Sequence, residues 1–117
     1  MKDNVIQQMT FNFSLKIIYL YKQLQESKEF VLSKQLLRSG TSIGANVEEA
    51  IAAQSKKDFV AKLSIACKEA RETKYWLKLL HQSNMTNNII YDEHLKMIES
   101  VLNILTKIVK TTKENHL

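Results

Sequence analysis

An all-α fold, built as an up-down-up-down antiparallel four-helix bundle, is predicted by three observations on this 117-residue chain. There is no proline and there are only two glycines, so few turn signals interrupt the apolar rhythm. Apolar residues recur at helical spacings of three and four in four successive segments. Those segments run near 20 residues each, about 30 Å as helices, and the polar stretches between them are short, which makes neighbours antiparallel. A single domain over residues 1–117 is expected at this length.

The first helix is expected over residues 4–26, with Ile6, Met9, Phe13, Ile17, Leu20 and Leu24 as its core stripe. Ser27-Lys28-Glu29 forms the first connection, and Ser33 is placed as N-cap of a second helix over 34–53. That helix keeps an apolar face (Leu32, Leu36, Ile43, Val47, Ala50) through residues that form helices poorly. Gly40 and Gly44 each cost roughly 1 kcal/mol against Ala in a helix interior. Two glycines four apart share one face and let another backbone approach closely. Local propensity alone leaves open a loop over 39–42 separating two short helices.

Ser55-Lys56-Lys57-Asp58 resembles a capping box and opens a third helix over 56–81. Its core stripe is Phe59, Leu63, Ala66, Ala70, Thr73, Leu77 and Leu80. Residues 82–88 are rich in turn formers. The fourth helix is expected over 91–112, with Leu95, Ile98, Leu102, Leu105 and Val109 inward and the lysine-bearing end from Lys107 to Leu117 fraying.

With the core assigned, two stripes of the third helix are left over. Lys57, Ser64, Lys68, Arg71, Tyr75 and Lys78 form a basic outer face with one aromatic. A solvated surface has this pattern, and so has a surface that contacts phosphates and stacks a base on Tyr75. Beside the core lie Ile65, Glu69, Glu72 and Trp76, where Trp76 either anchors a subunit contact or closes the bundle edge. The second helix carries a matching polar stripe, Gln35, Arg38, Ser42, Asn46, Glu49 and Ala53, and the planar fork of Arg38 suits Glu69 or Glu72. Its remaining edge, Leu37, Gly40, Gly44 and Ile51, is suited to a second close helix contact.

Composition narrows the function. The formal charge of +5 is compatible with an anionic partner. A single cysteine, Cys67, forms no intramolecular disulfide and fits a reducing cytoplasm, and no apolar run reaches the roughly 20 residues of a membrane span. Met1-Lys2-Asp3-Asn4 lacks the features of a signal peptide, so a soluble cytoplasmic protein with no membrane partner is expected. Di-iron bundles need Glu-x-x-His pairs, and no Glu here precedes a His by three. His81 and His94 are placed near helix ends and His116 in the tail, so no metal is expected. Gly40-x-x-x-Gly44 follows no strand and lacks the Lys-Ser/Thr ending of a phosphate loop. No catalytic residue and no cofactor are expected.

Two long runs carry a resemblance. One is Gln35-Leu36-Leu37-Arg38-Ser39-Gly40-Thr41-Ser42-Ile43-Gly44-Ala45-Asn46-Val47-Glu48-Glu49-Ala50. The other is Lys57-Asp58-Phe59-Val60-Ala61-Lys62-Leu63-Ser64-Ile65-Ala66-Cys67-Lys68-Glu69-Ala70-Arg71-Glu72-Thr73-Lys74-Tyr75-Trp76-Leu77. In this order and separation they resemble the bacterial four-helix-bundle proteins encoded in intervening sequences of 23S ribosomal RNA genes. The resemblance extends over nearly the whole chain.

It implies a second helix unbroken through its glycines. It also implies a ring-shaped homo-oligomer, a pentamer, as in the related accessory proteins of diversity-generating retroelements, which bind nucleic acid and a reverse transcriptase. For the intervening-sequence proteins it implies a genomic association and no established activity. The matching positions are Arg38, Ser42, Asn46, Glu49, Lys62, Lys68, Glu69, Glu72, Tyr75 and Trp76.

A non-enzymatic, ring-like homo-oligomer that binds RNA or DNA is the expected function, with a scaffold ring for a protein such as a reverse transcriptase as the alternative. Lys57, Lys68, Arg71, Tyr75 and Lys78 are the nucleic-acid candidates, and Arg38, Gly40, Gly44, Glu69, Glu72 and Trp76 the subunit or helix-packing candidates.

Overall fold

Ile6, Phe13, Ile17, Leu20 and Leu24 fall on one face of a helix, and that face is buried along the length of α1 (Lys2–Glu26). The computed structural model describes the backbone of residues 2–115 and the side chains of residues 5–115. Three further helices follow: α2 (Leu32–Ile51), α3 (Lys56–Gln82) and α4 (Asn88–Glu114). Among the described residues there is no strand. Each helix packs on the next and α1 closes against α4, so the chain is an antiparallel four-helix bundle with extents of 51 × 21 × 20 Å. α2 runs unbroken through both glycines.

The glycines explain how. A Cβ on Gly40 would stand 2.9 Å from both Cγ1 and Cγ2 of Ile17, and one on Gly44 would stand 3.3 Å from the carbonyl oxygen of Thr10. The α1 surface therefore occupies the space that a side chain would take. Ile17, Leu36, Ile43, Leu77, Leu80, Ile98 and Leu105 fill the centre.

The helix ends depart from expectation in four places. Ser33 does not cap α2. The Glu29 carboxylate reaches forward and accepts from the backbone N–H groups of Val31, Leu32 and Ser33 at 3.2, 3.1 and 2.6 Å. Ser33 is instead buried, donating its hydroxyl to the Glu29 carbonyl and accepting from Gln25. Burial raises the Glu29 pKa, but the bonds from Ser33, Leu32 and Val31 outweigh it and hold the carboxyl below its ordinary value. α2 also stops at Ile51 rather than at residue 53.

α4 begins three residues earlier than expected because the Asn87 side chain accepts from the Ile90 N–H at 2.8 Å. Its lysine-bearing end is helical as far as Glu114, with Ile108 and Val109 packed on the core. His116 and Leu117 lie outside the described residues. The facing of α4 also differs. Val101 and His94 are fully inward, whereas Leu95, Leu102 and Val109 are half-buried. His94, expected at a helix end, sits inside, with Nδ1 2.7 Å from the Ile90 carbonyl oxygen. Ser55 caps α3 as expected, accepting from the Asp58 N–H at 3.0 Å.

Two helices close through a left-handed residue that is not glycine. After α1 and after α3, Lys28 and Asn84 take positive φ (65° and 64°), and the next residue bonds back five positions, Glu29 to Leu24 and Met85 to Leu80. These are Schellman closures in which a lysine and an asparagine stand where glycine is usual.

Candidate functional site

Arg38 projects from the middle of α2 towards α3, where Glu69 and Glu72 stand one turn apart. Nη1 of Arg38 donates to Glu69 at 3.2 Å, Nη2 donates to Glu72, and the guanidinium also reaches Gln35. Ser42 donates to the same Glu69 oxygen at 2.9 Å, and Trp76 Nε1 donates to Glu72 at 2.9 Å. Beneath them the Thr73 hydroxyl donates to Ser39 at 2.9 Å inside the core. The Glu69 side chain is 15% exposed and that of Arg38 is 52%, so the network runs from the core edge to solvent. Its arginine holds two carboxylates of a neighbouring helix in register. Trp76 lies half-buried against the core, its ring edge-on to Tyr75 with centroids 5.1 Å apart. Thus Arg38, Glu69, Glu72 and Trp76 meet within one chain at the α2/α3 seam. Gly40 and Gly44 lie elsewhere on α2, against α1.

The basic candidates occupy the outer side of α3, and all five are exposed. Lys68, Arg71, Tyr75 and Lys78 follow one another at alternating spacings of three and four, spanning about 15 Å. Lys57 stands some 16 Å further along the axis and does not join them. Three lysines at other seams pair with carboxylates: Lys16 with Glu93, Lys62 with Glu49, Lys74 with Glu99. Among the described residues, Lys57, Lys68, Arg71 and Lys78 enter no ion pair.

A family described as 23S rRNA-intervening sequence protein matches residues 2–107. The chain belongs to this family. This member of the family is a four-helix bundle whose second helix carries its glycines against the first. The chain is also similar to a protein of unknown function from the S23 ribosomal protein family of Bacteroides thetaiotaomicron. Its crystal structure superposes with a TM-score of 0.92 at 49% identity, over 94% of this chain and 99% of that one. No functionally curated protein matches with significance. Neither the family nor that neighbour carries a catalytic assignment.

Other chemistry is sparse. Among the described residues no three His, Cys, Asp or Glu side chains gather as a metal site, and no helix is long and apolar enough to cross a membrane. Cys67 is buried, and burial raises its thiol pKa while nearby Arg71 opposes the shift.

One surface was not singled out in the sequence. Phe11, Leu15 and Tyr19 repeat every four residues along the side of α1 that faces away from the core, with Phe11 and Tyr19 each 61% exposed. The repeat was visible, but the stronger stripe on the opposite side absorbed the pattern.

Proposed function

We propose that this family member is a non-enzymatic, ring-like homo-oligomer, a pentamer, that binds nucleic acid through the outer face of α3, with RNA of ribosomal origin as its ligand. The observation that carries the reading is the unpaired cationic stripe of Lys68, Arg71 and Lys78 with Tyr75 set among them. Cations without carboxylate partners are free to displace counterions from phosphates, and an exposed tyrosine offers a stacking surface. Self-association is supported by the outward apolar repeat of α1, since a contiguous apolar patch on a helix is a docking surface. A ring repeats the modest +5 of one chain several-fold and makes binding polyvalent. Reversing Lys68 and Arg71 to Glu is expected to abolish salt-sensitive nucleic-acid binding while leaving assembly intact. Binding that survives the double reversal removes this assignment.

A second reading, a scaffold ring for a polypeptide such as a reverse transcriptase, is favoured by a separate observation. Val31 and Ile89 are 73% and 72% exposed; with Phe30 they project at one end of the bundle, from the α1–α2 connection and the first turn of α4. An assembled ring that binds no nucleic acid favours this scaffold.

A further inference from the structure

We infer that single-stranded nucleic acid seats in the groove between α3 and the C-terminal part of α4, which grips phosphate at its rim and admits an unpaired base to its floor; this rests on the nucleic-acid reading above. The seam between the two helices changes character along its length. Further towards the C-terminus of α3 it is bridged by Lys74 and Glu99 at 3.4 Å. One turn back, at Arg71, the bridge is gone and a groove of about 490 Å³ opens. Arg71 from α3 and Lys110 and Lys113 from α4 line it, all three exposed, with Glu114 as the one carboxylate. Among the described residues these three cations enter no ion pair. Three cations from two helices lining one cleft form an electrostatic track for successive phosphates, and the charge left after Glu114 is still positive.

The deeper lining is apolar, supplied by buried Cys67 and half-buried Val109. Such a floor has no use for phosphate and accepts the face of a base or sugar. In a duplex those faces are covered by stacking, so a cleft with a cationic rim and an apolar floor selects an unpaired strand. Tyr75 continues the track: it follows Arg71 by four residues, about 6 Å along the helix, and is 56% exposed. A strand whose phosphates follow Lys113, Lys110 and Arg71 therefore finds an aromatic surface one turn further on.

The test uses the full-length protein and a labelled, mixed-sequence single-stranded RNA, followed by fluorescence anisotropy between 50 and 200 mM salt, with the corresponding duplex as comparison. Lys110→Gln with Lys113→Gln removes two contacts. At about 0.7 per phosphate in a single strand, the salt slope is expected to fall by about 1.4, so that the affinity lost across this range shrinks about sevenfold. Lys22→Gln with Lys34→Gln, on α1 and α2, makes the same change in net charge and is expected to leave the slope unaltered. Circular dichroism confirms that both variants fold. Wild-type protein that binds the single strand, with an unaltered slope in the Lys110/Lys113 variant or equal affinity for the duplex, overturns the groove alone. Wild-type protein that binds neither ligand overturns the nucleic-acid reading and the groove with it.

Discussion

Replacing Gly40 by Ala isolates the close approach of α1 and α2. In an open helix interior the change stabilises by roughly 1 kcal/mol, because alanine gives up less backbone freedom. Here the added Cβ would stand 2.9 Å from two carbons of Ile17, inside the usual carbon contact of about 3.5–4.0 Å. Ile17 is fully buried and has nowhere to retreat, and overpacking of this kind costs about 1–3 kcal/mol. Gly40→Ala is therefore expected to destabilise by up to about 2 kcal/mol, the clash less the propensity gain. Ile17→Ala removes the two carbons at 2.9 Å, leaves only the Ile17 Cβ at 3.3 Å, and costs about 2–5 kcal/mol alone. In that background Gly40→Ala is expected to change sign and stabilise by up to about 1 kcal/mol. Gly44→Ala, 3.3 Å from the Thr10 carbonyl oxygen, is a milder case and comes out near neutral. Urea unfolding of the four proteins of the cycle, at one protein concentration, gives the coupling. A Gly40→Ala protein stabilised by about 1 kcal/mol, or effects additive to within about 0.5 kcal/mol, refutes the close approach.

Three further outcomes follow from particular contacts. Lys28→Gly is expected to raise the denaturation midpoint, by about 1 kcal/mol in stability, because Lys28 holds φ at 65° where a side chain costs roughly 1–2 kcal/mol. Arg38→Ala is expected to lower stability by about 1 kcal/mol, read as a drop of a few degrees in Tm, since Glu69 and Glu72 keep Ser42 and Trp76 as partners. Arg38→Lys is expected to recover only part of it, one ammonium being unable to serve two carboxylates as a fork does. Burial lowers the pKa of His94, which packs with Lys16 of α1 and Glu93 of its own helix nearby, so the unfolded chain takes up a proton near pH 6.5 that the folded chain refuses. Stability is thus complete above that pH and falls as the pH drops below it, by at most about 1.4 kcal/mol per unit, and His94→Leu is expected to flatten this slope in urea titrations between neutrality and the carboxylate range.

What the sequence revealed and what it withheld divide along the range of the interactions. The stripe of Ile6, Met9, Phe13, Ile17, Leu20 and Leu24 is a local signal, and burial follows it at every position except Met9, which is half-buried. The pairing of Arg38 with Glu69 and Glu72 was legible because complementary groups stood at helical spacing on two stripes beside the core. Helix ends were harder. Glu29 caps α2 from three residues before it begins, and Lys28 replaces the glycine that normally signals a helix stop. The facing of α4 was misread because a histidine occupies a core position: with His94 counted as polar, the stripe shifts one residue towards Leu95 and Leu102. The basic face of α3 could be projected from one helix alone. Its companions Lys110 and Lys113 could not, since their place depends on the register between α3 and α4.

Light scattering coupled to size-exclusion chromatography, with absorbance at two wavelengths, tests the nucleic-acid-binding ring most directly on protein purified without nuclease. A pentamer of five 13.6 kDa chains, about 68 kDa of protein, carrying excess ultraviolet absorbance that nuclease removes, is the predicted result. A monomer of 13.6 kDa free of nucleic acid contradicts it.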